Sequence, residues 1–170
     1  MLAPYLPGFI LRRLYSSQKL AEYIKIAVCD DRRGVFLNGG DIPEASIFLL
    51  VTNLSPFPVA IETLWCELRF LGGRIARLAS KLRQEVEAHN TAIVNLEGSL
   101  TAPQRDFIAQ RSPEEMQRYL KDRQLSVYIE AELSCQVRRF QLYGRDLTTA
   151  NVEVVNFGNV PSGAATSASD

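Results

Sequence analysis

The stretch VTNLSPFPVAIETLWCELRF, residues 51–70, decides the course of the chain because one apolar strand ends in it and another begins. Pro56 and Pro58 have no N–H to donate to a β-ladder, so we expect the sheet to break there and the chain to turn a corner. From Thr63 to Phe70, polar and apolar side chains alternate, which is typical of a strand with one buried and one solvated face. The stretch therefore predicts two strands joined by a corner.

Strand patterns with a period of two continue on both sides of this corner. Residues 24–28 alternate, and residues 45–52 are apolar on both faces, which favours a central strand that is covered on both sides. Residues 125–137 carry the longest regular alternation in the chain, with seven inward positions in register. The alternation changes phase at Arg138 and Arg139, where we expect a bulge or a tight turn.

Two parts of the chain have helical rather than strand patterns. In residues 1–22 the spacing after Gly8 predicts a short helix. Four side chains could gather on one side of it: Phe9, Leu11, Leu14 and Tyr15. A helical insert is expected at residues 101–122, because Thr101 with Gln104, and likewise Ser112 with Glu115, have the spacing of a capping box.

Together these elements predict a mainly β fold. Seven or more short strands separated by turn signals argue for an antiparallel immunoglobulin- or fibronectin-like β-sandwich. We expect the sandwich at residues 23–157, interrupted by the helical insert around residues 101–122 and preceded by the N-terminal helical segment, residues 1–22. Residues 158–170 are small and polar, a composition typical of a disordered tail.

Three stretches follow one another in an order that a known family also has: IFLLVTN at 47–53, NLSPFPVAIETLWCELRF at 53–70 and LSVYIEAEL at 125–133. Over residues 45–155 the chain resembles the water stress and hypersensitive response domain, found in group 2 late-embryogenesis-abundant proteins and in bacterial relatives. That family has a tighter Asn-Pro-Asn turn and fewer helices. The resemblance implies a seven-stranded, fibronectin-like sandwich without a catalytic centre, and a protective or membrane-associated role.

The residue inventory argues against several kinds of chemistry. Nineteen basic residues balance nineteen acidic ones, so the charge lacks the excess typical of a nucleic-acid-binding protein, and we expect no nucleic-acid partner. The sequence contains no nucleophile elbow, phosphate-binding glycine loop or HExxH motif. His89 is the only histidine and lies in a polar context without an obvious acidic partner. We therefore predict that the protein is not an enzyme and has no cofactor.

The cysteines favour neither a metal site nor a disulfide framework. Cys29, Cys66 and Cys135 are widely spaced and form no CxxC motif, so a zinc site would lack ligands. Trp65 stands next to Cys66, unlike the spaced pair of an immunoglobulin domain. Cys66 and Cys135 have inward register, so they either approach each other or pack as buried free thiols, and we expect the second.

The N-terminal segment offers the candidate contact residues of the chain: Tyr5, Phe9, Arg12, Arg13 and Tyr15. One interpretation is a short helix that only packs across one end of the domain. Others are a docking surface for a protein partner or a second copy, a membrane-surface segment, or a stub that follows an anchor absent from this chain. No secretory signal or long apolar run is present, which predicts a cytoplasmic protein, or a membrane-associated one if such an anchor exists.

The leading hypothesis is a non-enzymatic β-sandwich module for binding or assembly, which acts through protein–protein contacts of residues 1–22. A peripheral membrane-associated or stress-protective protein that uses the same basic, apolar segment is the first alternative. An enzyme with an unrecognised site is the second.

Overall fold

The computed structural model describes residues 6–29, 31, 34–40, 44–70, 73–80, 83–110, 112, 114–115, 118, 125–147 and 152–155. The helices are α1 (Gly8–Leu14), α2 (Ser17–Tyr23) and α3 (Ala102–Ala109). The strands are β1 (Ile24–Val28), β2 (Val35–Asn38), β3 (Glu44–Asn53), β4 (Val59–Phe70), β5 (Gly73–Ala79), β6 (Gln84–Val86), β7 (Asn90–Ser99), β8 (Leu125–Ser134), β9 (Arg139–Leu147) and β10 (Val152–Val155). The prediction of a mainly β fold is confirmed.

The strands of the described residues are linked by hydrogen bonds into one ten-stranded sheet, in the order β10-β2-β3-β7-β5-β4-β8-β9, with β1 beside β3 and β6 beside β4. The pairings are antiparallel except that β10 lies parallel to β2, so the sheet is mixed. This differs from the predicted all-antiparallel arrangement. The two separate sheets of an immunoglobulin-like sandwich are likewise not seen in the hydrogen bonding.

A single residue pair, Ala79 opposite Glu97, links β5 to β7 and divides the sheet into a first half (β10-β2-β3-β7) and a second half (β5-β4-β8-β9). Gly98 lies next to this link. A Cβ at Gly98 would collide with the carbonyl oxygen of Arg77 and lie 2.9 Å from Leu78 Cδ2. The glycine therefore permits the close approach of β7 to β5, which no larger residue allows without a shift of the backbone.

Both halves of the sheet bury their apolar side chains in one core. The inward positions of β3 alternate with half-buried ones, as a strand with one core-facing side requires. Fully buried side chains come from the first half (Leu37, Ile47 and Leu96) and from the second (Leu64, Leu78 and Ile129), and all of them belong to one contiguous cluster. On the other face of β3, Phe48 and Leu50 are only half-buried, so the expected cover on both faces is incomplete.

The long alternation at residues 125–137 forms β8, but the strand ends three residues before its predicted end at Val137. Val127, Ile129 and Leu133 are buried in β8. The strand ends at Ser134, and the N–H of Cys135 donates to the carbonyl of Arg138 at 3.1 Å, which closes a tight turn into β9. The change of phase in the sequence marks this turn.

The proline corner is held by two buried polar residues, Asn53 and Ser55, both fully inaccessible to solvent. The Asn53 Nδ2 atom donates to the carbonyls of Phe57 at 2.7 Å and of Val86 and Glu87 at 3.1 Å. Its Oδ1 atom accepts from the Ser55 N–H at 2.9 Å and from the Ser55 hydroxyl at 2.7 Å. Because these bonds satisfy the carboxamide inside the core, one side chain ties the end of β3 to the corner and to the chain after β6.

Both predicted capping boxes are present. The N–H of Thr101 donates to Gln104 Oε1 at 2.9 Å at the start of α3. The N–H of Ser112 donates to Glu115 Oε2 at 3.0 Å, and the N–H of Glu115 donates back to Ser112 Oγ at 3.1 Å. Most of the predicted insert after residue 115, and the predicted tail at residues 158–170, lie outside the described residues.

Candidate functional site

The N-terminal helices have one side that is anchored in the domain. Leu20 of α2 is fully buried and Leu11 of α1 is 5% exposed, and both belong to the core cluster. The Tyr15 ring, between the two helices, packs edge-on against the buried Phe57 ring of the corner, with 5.0 Å between centroids. The segment is therefore part of the folded domain.

One hydrogen bond caps α2 within the same segment, and two others fasten the helices to the rest of the domain. Ser16 caps α2 by accepting from the N–H of Lys19 at 3.2 Å. The N–H of Leu54, in the corner, donates to the carbonyl of Tyr23 at 2.9 Å. The guanidinium of Arg138, in the β8–β9 turn, donates to the carbonyl of Arg12 at 2.5 Å. The helix α2 also contacts β9, which belongs to the second half of the sheet, and β1, which pairs with β3 of the first half. It therefore covers the space between the two halves.

The other side of α1 projects away from the domain. Phe9 is 75% exposed, Leu14 is 48% exposed and Leu6, just before the helix, is 36% exposed. Arg12 and Arg13 are exposed beside them. We call these five residues the α1 surface. The expectation that Phe9, Leu11, Leu14 and Tyr15 gather on one side is wrong, because Leu11 and Tyr15 face the domain whereas Phe9 and Leu14 face outward.

The α1 surface carries positive charge without local neutralisation. The helix contains no acidic residue, and Arg12 and Arg13 form no ion pair with any acidic residue in the part of the chain that the structure describes. Lys19 adds a third cation near the end of α1, where its Nζ donates to the carbonyl of Leu14 at 3.4 Å and lies 5.3 Å from the centroid of the Tyr15 ring. The result is a basic rim around exposed apolar side chains.

The contact residues predicted from the sequence are therefore distributed over both sides of the segment. Phe9, Arg12 and Arg13 lie on the α1 surface, Tyr15 is turned toward the corner, and Tyr5 lies outside the described residues. Sequence reasoning left Leu6 and Leu14 out of the contact set. The helical period could have indicated that Leu14 is exposed. Leu14 lies five positions from Phe9 and three from Leu11, so it belongs clearly to neither side of the helix.

No protein-family model matches the chain. No curated protein matches it either. Many solved structures share part of its shape, among them the following three. A Northeast Structural Genomics Consortium target, SoR45, is 10% identical over 76% of this chain and 89% of that chain, with a TM-score of 0.46. A protein from Archaeoglobus fulgidus is 12% identical over 74% of this chain and 94% of that chain, with a TM-score of 0.36. The Pseudomonas fluorescens alkylpurine DNA glycosylase AlkC, bound to DNA containing an abasic site analog, is 12% identical over 79% of this chain and 34% of its own, with a TM-score of 0.31. At these TM-scores the likeness carries no argument about function.

A second surface with charged and aromatic side chains, on the outer face of β4, β5 and β8, neutralises itself. Glu67 accepts from Arg69 at 2.8 Å and from Arg74 at 3.4 Å, and these bonds, the one from Arg69 above all, lower the pKa of its carboxyl. The Arg69 guanidinium also stacks over the Tyr128 ring, 3.8 Å from its centroid. Because each of these groups already has a partner, this face offers a ligand less than the α1 surface does.

A carboxylate next to a hydroxyl, Glu62 and Ser134, is unsuited to act as a base. The Ser134 hydroxyl donates to Glu62 Oε1 at 2.5 Å, and Arg83 Nε lies 3.2 Å from Oε2. The hydrogen bond from Ser134 is the main cause that lowers the pKa of this carboxyl, with Arg83 and Arg139 as further causes. A carboxylate stabilised in its charged form accepts a proton less readily than an unperturbed one, which makes it a weaker base.

The thiols and the histidine occupy separate places. All three cysteines are free; Cys66 is buried, whereas Cys135, which was expected to be buried as well, is only half-buried. Burial raises the pKa of the Cys66 thiol to about 12, far above that of a reactive cysteine. His89 is exposed in a turn at φ 57°. Within the described ranges, no group of three or more His, Cys, Asp or Glu side chains is placed to hold a metal ion, and none of the helices there is long and apolar enough to cross a membrane.

Proposed function

We propose that the protein is a non-enzymatic binding or assembly module whose contact region is the α1 surface. One observation carries the proposal: within one short segment, Leu11 and Leu20 are buried in the core while Phe9 and Leu14 are held in solvent. Exposed aromatic side chains cost free energy in water and are the commonest anchors of binding surfaces. A segment that anchors one side and exposes the other has the form of a docking element.

We also infer that the two halves of the sheet pack face to face as a fibronectin-like sandwich. Two facts support this inference: both halves contribute to one core cluster, and among the described residues the pair Ala79 and Glu97 is the only strand pairing between them. In such an arrangement α2 lies at the side opposite the β5–β7 link, next to β9 and β1. The resemblance to the water stress and hypersensitive response domain, with its protective role, stays a prediction.

The proposed function is tested by photo-crosslinking, which captures a partner whose identity is unknown. Benzoylphenylalanine replaces Phe9 in one variant of the full chain and Tyr143 in another, and both are irradiated in cells of the native host. Tyr143 is the matched control, because it is an aromatic residue on β9 that is 64% exposed. Benzophenone inserts into C–H bonds of proteins and lipids alike.

We expect a discrete adduct from position 9 and none of comparable yield from position 143. The adduct should disappear when Leu14 is changed to Ser in the position 9 variant, because Leu14 belongs to the same surface. Equal labelling from both positions, or no adduct from position 9, would contradict the proposal.

A further inference from the structure

We propose that the α1 surface binds the surface of an anionic lipid bilayer. The inference rests on the proposed function, because it assigns a partner to the same side chains. Three properties of the surface favour this partner: its shape, its charge and its rigidity.

The shape of the α1 surface suits a fluid interface better than a folded protein partner. The helix has seven residues and is therefore about 10 Å long. Phe9 and Leu14 are exposed on it, and Leu6 is exposed just before it. A stable protein interface needs about 800 Å² on each partner and close complementarity, which two helical turns do not supply. A bilayer interface accepts projecting side chains of any arrangement, and phenylalanine and leucine enter its acyl boundary.

The charge of the surface matches anionic headgroups. From residue 6 to residue 22 the chain contains the basic residues Arg12, Arg13 and Lys19 and one acidic residue, Glu22, which lies on α2. Arg12 and Arg13 have no acidic partner in the described residues, so their guanidinium groups are available for phosphate and carboxylate groups of lipids. A peripheral membrane protein combines two signals: apolar side chains that enter the bilayer and basic side chains next to them.

The same charge argues against a second copy of this chain as the partner. In a two-fold symmetric dimer through α1, the surface would meet itself. Arg12 and Arg13 of one copy would then face the same pair of the other, and α1 holds no acidic residue to compensate them. Like charges brought together in this way oppose association.

The surface is also rigid before it meets a partner. Leu11 and Leu20 hold the helices on the core, and the Arg138 side chain fastens the carbonyl of Arg12. Amphipathic segments that fold only on the membrane lose part of their binding free energy to ordering. A helix that is already folded on the domain avoids that loss, which allows two turns to suffice.

Vesicle flotation of the full chain tests the inference. The protein is mixed with vesicles of phosphatidylcholine alone and with vesicles of phosphatidylcholine and phosphatidylserine in equal amounts. We expect flotation with the anionic vesicles only, and weaker flotation when salt is added, because screening reduces the attraction of exposed charges. Flotation that is at background with both vesicle types would overturn the inference.

Four variants locate the binding. Phe9→Ser should weaken binding to anionic vesicles at least about tenfold. Arg12→Gln and Arg13→Gln should each weaken it about fivefold and lessen its dependence on salt. Tyr143→Ser, which removes an exposed aromatic residue elsewhere, should leave it unchanged. Because all four side chains are exposed, the variants should keep the unfolding midpoint of the parent, and binding that survives Phe9→Ser would contradict the assignment to α1.

The flotation and the crosslinking separate the two proposals. If no vesicle binds but position 9 captures a protein, the lipid assignment is wrong and the proposed contact surface stands. If no vesicle binds and position 9 captures nothing, both are wrong. Flotation together with a lipid adduct at position 9 supports both.

Discussion

Replacement of Asn53 by Ala should be among the most destabilising single changes outside the apolar core. The carboxamide is fully buried and makes bonds to the corner and to the chain after β6. Its removal leaves the N–H of Ser55 without an acceptor and takes a donor from the carbonyl of Val86. A buried N–H without a partner costs about 1–3 kcal/mol and a lost hydrogen bond about 1 kcal/mol, so the two effects together should cost about 3 kcal/mol.

Two other groups keep a partner, which limits the cost. The Phe57 carbonyl still accepts from the Ser55 hydroxyl at 2.9 Å. The Glu87 carbonyl still accepts from the N–H of Asn90 at 3.2 Å. The Ser55 N–H is therefore the group left without a partner, and about 3 kcal/mol is still a large share of the stability of a domain of this size.

Urea unfolding followed by the fluorescence of Trp65, the single tryptophan, measures the effect. With a slope of about 2 kcal/mol per molar, the midpoint should fall by about 1.5 M. Asn95→Ala is the matched control, because Asn95 is half-buried, bonds only an exposed partner, Glu97, through Nδ2 at 2.8 Å and leaves Oδ1 without a hydrogen bond. Its midpoint should fall by less than about 0.5 M. Equal shifts for Asn53→Ala and Asn95→Ala would refute the role of the buried carboxamide.

Three further changes test other parts of the structure by the same unfolding measurement. Gly98→Ala should lower the urea midpoint because a Cβ there collides with the β5 backbone. Gly8→Ala, where a Cβ would have nothing within 4 Å, should leave the midpoint equal or raise it. A lower midpoint for Gly8→Ala than for Gly98→Ala would contradict the close approach of β7 to β5. Leu20→Ala should lower the free energy of unfolding by about 2–5 kcal/mol, and Leu14→Ala should lower it by less than about 0.5 kcal/mol. Similar losses for the two variants would show that α2 is not docked on the core. Glu62→Gln should lower the urea midpoint at neutral pH, and in acid the midpoints of this variant and of the parent should become equal. The folded pKa of Glu62 lies below the ordinary value of 4.5, so its stabilisation is complete above that pH and disappears as the pH falls through the folded value. A difference that does not depend on pH would exclude this explanation.

The strands could be predicted from the sequence because side-chain alternation is a local property. The pattern at residues 125–137 predicts the buried positions of β8, and the phase change at Arg138 predicts the turn into β9. The break at Pro56 and Pro58 follows equally directly from the missing N–H groups.

The pairing of the strands could not be predicted in the same way. Nothing in the short VEVV stretch of β10 indicates that it runs parallel to β2, because strand direction depends on the path of the connecting chain. The role of Asn53 was also hidden. An asparagine before a proline-rich turn usually serves the local backbone, whereas this one also reaches Val86 and Glu87, more than thirty residues away.

Which side chains of the N-terminal segment are exposed was predicted in part. Aromatic and basic residues in the N-terminal segment suggested a docking role, and Phe9, Arg12 and Arg13 are exposed there. Which apolar side chains stay outside depends on where the domain meets the helix. Tyr15 was assigned to the contact set, but its ring lies against Phe57, a neighbour that only the folded corner supplies.

The central claim is that the N-terminal segment is anchored on one side and exposed on the other for binding. Hydrogen–deuterium exchange with and without anionic vesicles tests this claim most directly. Without vesicles, the helical amides of α2 should exchange slowly, as expected of a helix whose Leu20 is buried in the core. With vesicles, added protection should be confined to α1. Unprotected exchange throughout residues 8–23 would contradict the docked segment, and added protection on β9 around Tyr143 instead of on α1 would contradict the contact surface.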